Sequence, residues 1–114
     1  MSASAGDLSA PIALAREPDF ALGHLQVRPS RGEVCGGASS ERLEPRVMQA
    51  LVALARRGGA TVSRDELTAQ CWGGVVVGKD ALNRVISILR GLAERTEGAF
   101  RIETLARIGY RLVA

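Results

Sequence analysis

An α+β fold is predicted for this chain: a small N-terminal antiparallel sheet, three helices and a C-terminal β-hairpin. Three observations predict it. Residues 19–44 break into short apolar alternations between Gly- and Pro-rich turns, the pattern of brief strands. Between 45 and 95, apolar residues recur at the 3.6-residue period of helices buried on one side. Residues 100–113, FRIETLARIGYRLV, alternate twice about Ala106-Arg107-Ile108-Gly109, as the arms of a hairpin do.

Residues 1–18, rich in Ser, Ala, Gly and Pro, show no sustained period and read as a flexible arm before a domain spanning 19–114, with packing of the short apolar segment Ile12-Ala13-Leu14 on the domain as the alternative. In the strand region, Phe20-Ala21-Leu22 and Leu25-Gln26-Val27 flank Gly23-His24, Pro29 to Gly32 forms a turn, and Glu33-Val34-Cys35 and Glu41-Arg42-Leu43 follow. Pro45 suits the first turn of a helix. Val47, Met48, Leu51, Val52, Leu54 and Ala55 make its apolar face, and Arg56-Arg57-Gly58-Gly59 ends it near 57. Thr61-Val62 reads as a brief strand.

Ser63 and Glu66 have the spacing of a capping box, in which each side chain accepts from the other's backbone N–H. A second helix therefore opens there and runs to Cys71-Trp72, stopped by Gly73-Gly74. The third spans 79–95, with Asp80 as its expected N-cap. Leu82, Val85, Ile86, Leu89 and Ala93 form its inward stripe, and Asn83, Arg84, Ser87, Arg90 and Glu94 lie outward.

The charge is distributed unevenly. Residues 1–44 hold four arginines and six acids, net −2, whereas residues 45–114 hold eleven Lys/Arg and six acids, net +5. A basic excess over the helical half and the hairpin suits a phosphate-binding surface. A helix with a polar outward face followed by a basic hairpin is the layout of a winged helix-turn-helix, so duplex DNA is the expected ligand. The helix would enter the major groove and the hairpin would lie at the minor groove.

The order and spacing of several motifs resemble the OmpR/PhoB-type winged-helix regulators, and within them the ToxR/CadC-like branch. The matching positions are Leu43 and Pro45; Leu51 and Leu54; Val62-Ser63-Arg64-Asp65-Glu66-Leu67; Trp72; Asp80-Ala81-Leu82-Asn83; Leu89-Arg90; Ile102-Glu103-Thr104; and Arg107-Ile108-Gly109-Tyr110-Arg111. The resemblance as a whole covers roughly residues 20–113. The resemblance implies a four-stranded sheet, three helices and a wing, with promoter DNA as ligand. It further implies RNA polymerase as a partner through the loop between the second and third helices, and tandem or dimeric binding. Branch members often continue into a membrane segment and a sensor domain, so this chain reads as a stand-alone module or as a fragment. Ile88 and Gly91 stand where the family is often basic, which weakens the charge of the helix face and makes cooperative binding more necessary.

The DNA-contacting set is accordingly Asn83, Arg84, Ser87 and Arg90 on the helix, Lys79 at its start, Arg107 at the wing tip, and Arg101, Arg111, Ser63 and Arg64 around them. Arginine and asparagine present paired hydrogen-bonding groups that match guanine and adenine edges, and a narrow minor groove attracts an arginine. Arg101 and Arg111 either clamp phosphates or pair with Glu103; Ser63 is first of all a cap. Val75-Val76-Val77 and Ile88 are candidate protein contacts, for polymerase or a second copy, with inward packing as the alternative. An alternative reading makes the whole chain a protein-interaction or dimerisation module with weak or no DNA binding.

Trp72 and Tyr110 read as core aromatics, Cys71 as a buried thiol and Cys35 as an exposed one. No Ser/His/Asp set, phosphate-cradling loop, paired carboxylates or metal-ligand spacing appears, so the expectation is a non-enzyme without metal or cofactor. The apolar runs are too short to span a bilayer, and two cysteines without CxxC spacing suit reduced thiols in the cytoplasm.

Overall fold

Alternation in the N-terminal third produces four strands, β1 (Phe20–Leu22), β2 (Leu25–Arg28), β3 (Glu33–Gly36) and β4 (Ser39–Arg42), paired antiparallel in chain order in a computed structural model. The structure describes residues 11–37, 39–73, 75 and 77–114. Val27 pairs with Val34 and Cys35 with Ser40, a register that turns Leu22, Leu25, Val27 and Val34 to the core. A period of two makes that choice for the whole sheet, because a one-residue slip would expose every one of these side chains.

Helix α1 (Pro45–Arg56) starts on its proline and buries Val47, Met48, Leu51, Val52 and Leu54. Strand β5 (Val62–Ser63) begins one residue later than expected and leads into α2 (Arg64–Trp72). Both halves of the capping box form: the Ser63 hydroxyl accepts from the Glu66 amide at 3.1 Å, and the Glu66 carboxylate accepts from the Ser63 amide at 3.0 Å. The left-handed Gly73 ends α2.

Helix α3 (Lys79–Arg95) has the expected bounds but not the expected cap. Gly78 is the N-cap, without a side-chain bond, and Asp80 lies one residue inside the helix. An acidic residue in the first turn of a helix is compatible with the helix dipole and needs no capping bond.

Strands β6 (Arg101–Leu105) and β7 (Gly109–Val113) form the wing, with β7 in the middle of a three-stranded sheet between β5 and β6. Gly109 seats this hairpin against β5: a Cβ there would collide with the Val62 carbonyl oxygen. One core joins both sheets to the helices, and Met48, Leu51, Leu54, Leu67, Ile86, Leu89, Leu92 and Phe100 are its largest enclosed side chains.

Of the stretch expected to form a flexible arm, residues 1–10 lie outside the described residues. Residues 11–18 run along the domain. Ile12 is buried, its amide donates to the Gln70 carbonyl at 2.9 Å, and Gln49 Nε2 donates to its carbonyl at 3.0 Å. Glu17 pairs with Arg56 at the end of α1. Packing of the short apolar segment Ile12-Ala13-Leu14 was one of two readings the sequence offered, and Ile12 realises it; three residues carry no period that could decide between them.

Candidate nucleic-acid interface

The 3.6-residue period divides α3 between core and solvent. Leu82, Val85, Ile86, Leu89, Leu92 and Ala93 are buried, while Lys79, Asn83, Arg84, Ser87, Arg90 and Arg95 are exposed. Asn83 and Ser87, four residues apart, share one stripe of that exposed face. Arginines flank it, and their partners differ from side to side.

On the wing side, Arg90 Nε and Nη2 donate to the Ile102 carbonyl at 3.3 and 3.1 Å, and Nη2 also donates to the Thr104 hydroxyl. This guanidinium links α3 to β6 through neutral acceptors and forms no ion pair among the described residues. On the side of the N-terminal sheet, Arg84 donates two bonds to the Glu44 carboxylate, at 3.1 and 2.9 Å. Arg95 does the same to Glu41, at 3.1 and 2.9 Å. Hydrogen bonds from these arginines hold both carboxyls below their ordinary values. Glu41, Glu44 and Arg95 were absent from the sequence-derived set. Their pairings cross 40 and 54 residues, and no local signal marks them.

The wing carries Arg107 and Ile108 at its tip, where Ile108 N–H donates to the Leu105 carbonyl at 2.9 Å and closes the turn. Arg107 has φ of 66° at the third position of this turn, a left-handed conformation usually left to glycine. Ile108 is 59% exposed. At the base of the hairpin, Arg101 and Arg111 both pair with Glu103, at 2.9 and 2.6 Å. Of the two roles considered for them, the structure realises the pairing. Bonds from Arg111 and then Arg101 hold the Glu103 carboxyl below its ordinary value. The trio keeps a net charge of +1.

Around these elements, the Ser63 hydroxyl is engaged in the capping box, as its structural reading required. Arg64, the first residue of α2, is exposed and lies over the Tyr110 ring, 5.7 Å from its centroid. Lys79 is exposed at the start of α3. Arg46 donates to the Cys71 carbonyl and lies 5.6 Å from the Trp72 centroid, fastening the end of α2 to α1. Tyr110 is buried and Trp72 is half-buried against the core. Cys71 is buried, and desolvation pushes its thiol up to about 12, whereas Cys35 is half-buried on β3.

The turn between α2 and α3 exposes Val75 at 63%, and Val77 is half-buried. Val76 lies outside the described residues. Ile88 is half-buried and packs on the core, so little of its surface faces outward. A surface cavity of about 770 Å³ lies between β1, the end of α1 and β7. No residue of α3 lines it, so it is separate from the exposed helix face. Among the described residues, no group of three His, Cys, Asp or Glu side chains could hold a metal ion, and no helix is long and apolar enough to cross a membrane.

Three helices, with an exposed polar face on the last and a hairpin tied beside it by Arg90, define a winged helix-turn-helix domain. The family described as "Transcriptional regulatory protein, C terminal", the OmpR/PhoB-type winged-helix domain, matches residues 38–112, and the chain belongs to it. The transcriptional activator CadC of Escherichia coli (strain K12) is 31% identical over 100 residues, which are 86% of this chain and 20% of CadC. The transcriptional regulatory protein TcrA of Mycobacterium tuberculosis (strain H37Rv) is 32% identical over 98 residues, 85% of this chain and 39% of TcrA. The chain thus spans well under half the length of these curated relatives.

Among solved structures, the DNA-binding domain of E. coli CadC superposes with a TM-score of 0.76 at 31% identity, over 86% of this chain and 94% of that one. The Klebsiella pneumoniae RstA DNA-binding domain, solved in complex with the RstA box, gives 0.68 at 25% identity, over 85% and 98%. The likeness to CadC in both sequence and structure supports the ToxR/CadC-like branch.

Proposed function

We propose that this chain is the DNA-binding module of a transcriptional regulator and recognises duplex DNA in a sequence-dependent manner. Helix α3 enters the major groove and the wing lies at the adjacent minor groove. One observation carries this reading: the exposed Asn83–Ser87 stripe stands beside Arg90, which fastens the helix to a hairpin tipped by Arg107. In this arrangement Asn83 and Ser87 meet base edges, Arg107 enters the minor groove, and Lys79, Arg64 and Arg90 approach phosphates. Arg84, Arg101 and Arg111 contribute less charge than their number suggests, because glutamates share them. The module acts in the cytoplasm, where both cysteines stay reduced.

The test is binding of the purified chain to mixed genomic duplex fragments across a salt series, with Arg107→Ala alongside. The expected result is enrichment of particular fragments, steep weakening with salt and loss of affinity in the variant. No enrichment together with flat salt dependence would overturn it.

A protein contact at the α2–α3 turn is favoured by Val75, one of two large apolar side chains left exposed among the described residues. RNA polymerase is the partner this position suggests, and a second copy of the chain is the alternative. Val75→Glu should reduce activation from a promoter while leaving DNA binding unchanged; equal activation would remove this contact from the reading.

A further inference from the structure

Arg84 and Arg95 stand eleven residues apart, three turns of helix, and so share the flank of α3 nearest the N-terminal sheet. Each meets a glutamate through two hydrogen bonds: Glu44 at the N-cap of α1 and Glu41 on β4. All four side chains are substantially exposed, so the pairs contribute little to stability. Their larger consequence is electrostatic, because each pair is net neutral. The rest of the face differs: Lys79, Arg64, Arg90 and Arg107 form no ion pair among the described residues.

Resting on the DNA-binding reading above, we propose that Glu44 is a specificity-determining residue that suppresses sequence-independent binding to duplex phosphates. Binding to arbitrary DNA draws its affinity from phosphate neutralisation and counterion release. A phosphate approaching Arg84 must compete with a carboxylate already bonded in two places, and the same carboxylate repels it. Contacts to base edges by Asn83 and Ser87 do not require Arg84 to be free. Glu44 therefore weakens arbitrary complexes more than cognate ones and widens the ratio between them. Glu41 acts likewise on Arg95 at the far end of the helix.

The experiment compares the chain with Glu44→Gln, Arg84→Gln and the double variant on a mixed-sequence duplex, from low to moderate salt. Glu44 gives no side-chain cap to α1, so glutamine leaves the helix start intact, which a thermal melt checks. Glu44→Gln is expected to bind arbitrary duplex roughly five- to tenfold more tightly near 0.1 M salt, with a salt slope steeper by about 0.9. In the Arg84→Gln background the gain should shrink to less than about twofold, the general effect of removing one negative charge. An unchanged slope, or an equal gain without Arg84, would overturn the inference and leave the DNA reading standing. If the unaltered chain binds no duplex at any salt, the DNA reading fails and takes this inference with it.

Discussion

Arg90 on α3 donates from Nη2 to the Thr104 hydroxyl on β6 at 2.5 Å, and the same guanidinium reaches the Ile102 carbonyl. The helix and the wing are thereby held at one relative angle by a side chain that forms no ion pair among the described residues. Arg90→Lys retains the charge but lacks the fork that bridges both acceptors. Affinity for the best-enriched fragment should fall about fivefold with the salt slope unchanged, the loss of a charge-assisted bond at a partly exposed site. Arg90→Ala should lower both. Lysine binding as tightly as arginine would show that the link does not position the wing.

The wing tip separates folding from binding. Arg107 at φ 66° costs about 1 kcal/mol relative to glycine. Arg107→Gly should therefore melt at the same temperature or a few degrees higher, while losing affinity for DNA. A variant that melts lower would locate the role of Arg107 in the fold.

Ser63→Ala tests cap against contact. Loss of the Ser63–Glu66 box should destabilise the domain by about 1 kcal/mol, seen as a lower denaturant midpoint. DNA affinity at a temperature where both proteins are folded should change less than twofold. A larger loss would assign the hydroxyl to phosphate.

Acid should weaken the domain above all through Glu66, since the exposed glutamate–arginine pairs contribute little to stability. Glu66 sits below its ordinary 4.5, held chiefly by the Ser63 backbone bond, and Glu41, Glu44 and Glu103 are lowered by their arginines. A lowered folded-state value stabilises the protein above the unfolded value, and that contribution is lost as pH falls through the folded one. Melting temperature should be flat with respect to these groups near neutral pH and decline below about 4.5. Glu66→Gln should flatten that decline; an equal slope would mean other groups carry it.

The two thiols should differ in reactivity. Burial raises Cys71 to about 12, so the native protein should take one alkylating group at pH 8, on the half-buried Cys35, and two after unfolding. Mass spectrometry of the intact chain reads both states. Rapid native labelling of Cys71 would show that α2 opens.

The helices, the capping box and the hairpin were legible because each is a local pattern. Apolar spacing alone places Leu82, Val85, Ile86 and Leu89 on one face, and Ser63 and Glu66 are three residues apart. The expected cap at Asp80 failed because Gly78, with its extended backbone, already turns the chain into the helix. Packing of Ile12 could be named but not decided from the sequence, because one buried residue in an irregular segment has no period.

By itself the sequence determined the order of elements, which face of α3 is buried, and that arginines gather on the other face and on the hairpin. Periodicity and capping act within a few residues, so they can be read without a fold. Only the tertiary structure decided which of those arginines remain available. Arg84 meets Glu44 across 40 residues and Arg95 meets Glu41 across 54, while Arg90 finds neutral acceptors on β6. The reason is Coulombic: the charge that an arginine offers a ligand depends on what lies within a few ångströms of it, and the packing of sheet against helix sets those distances.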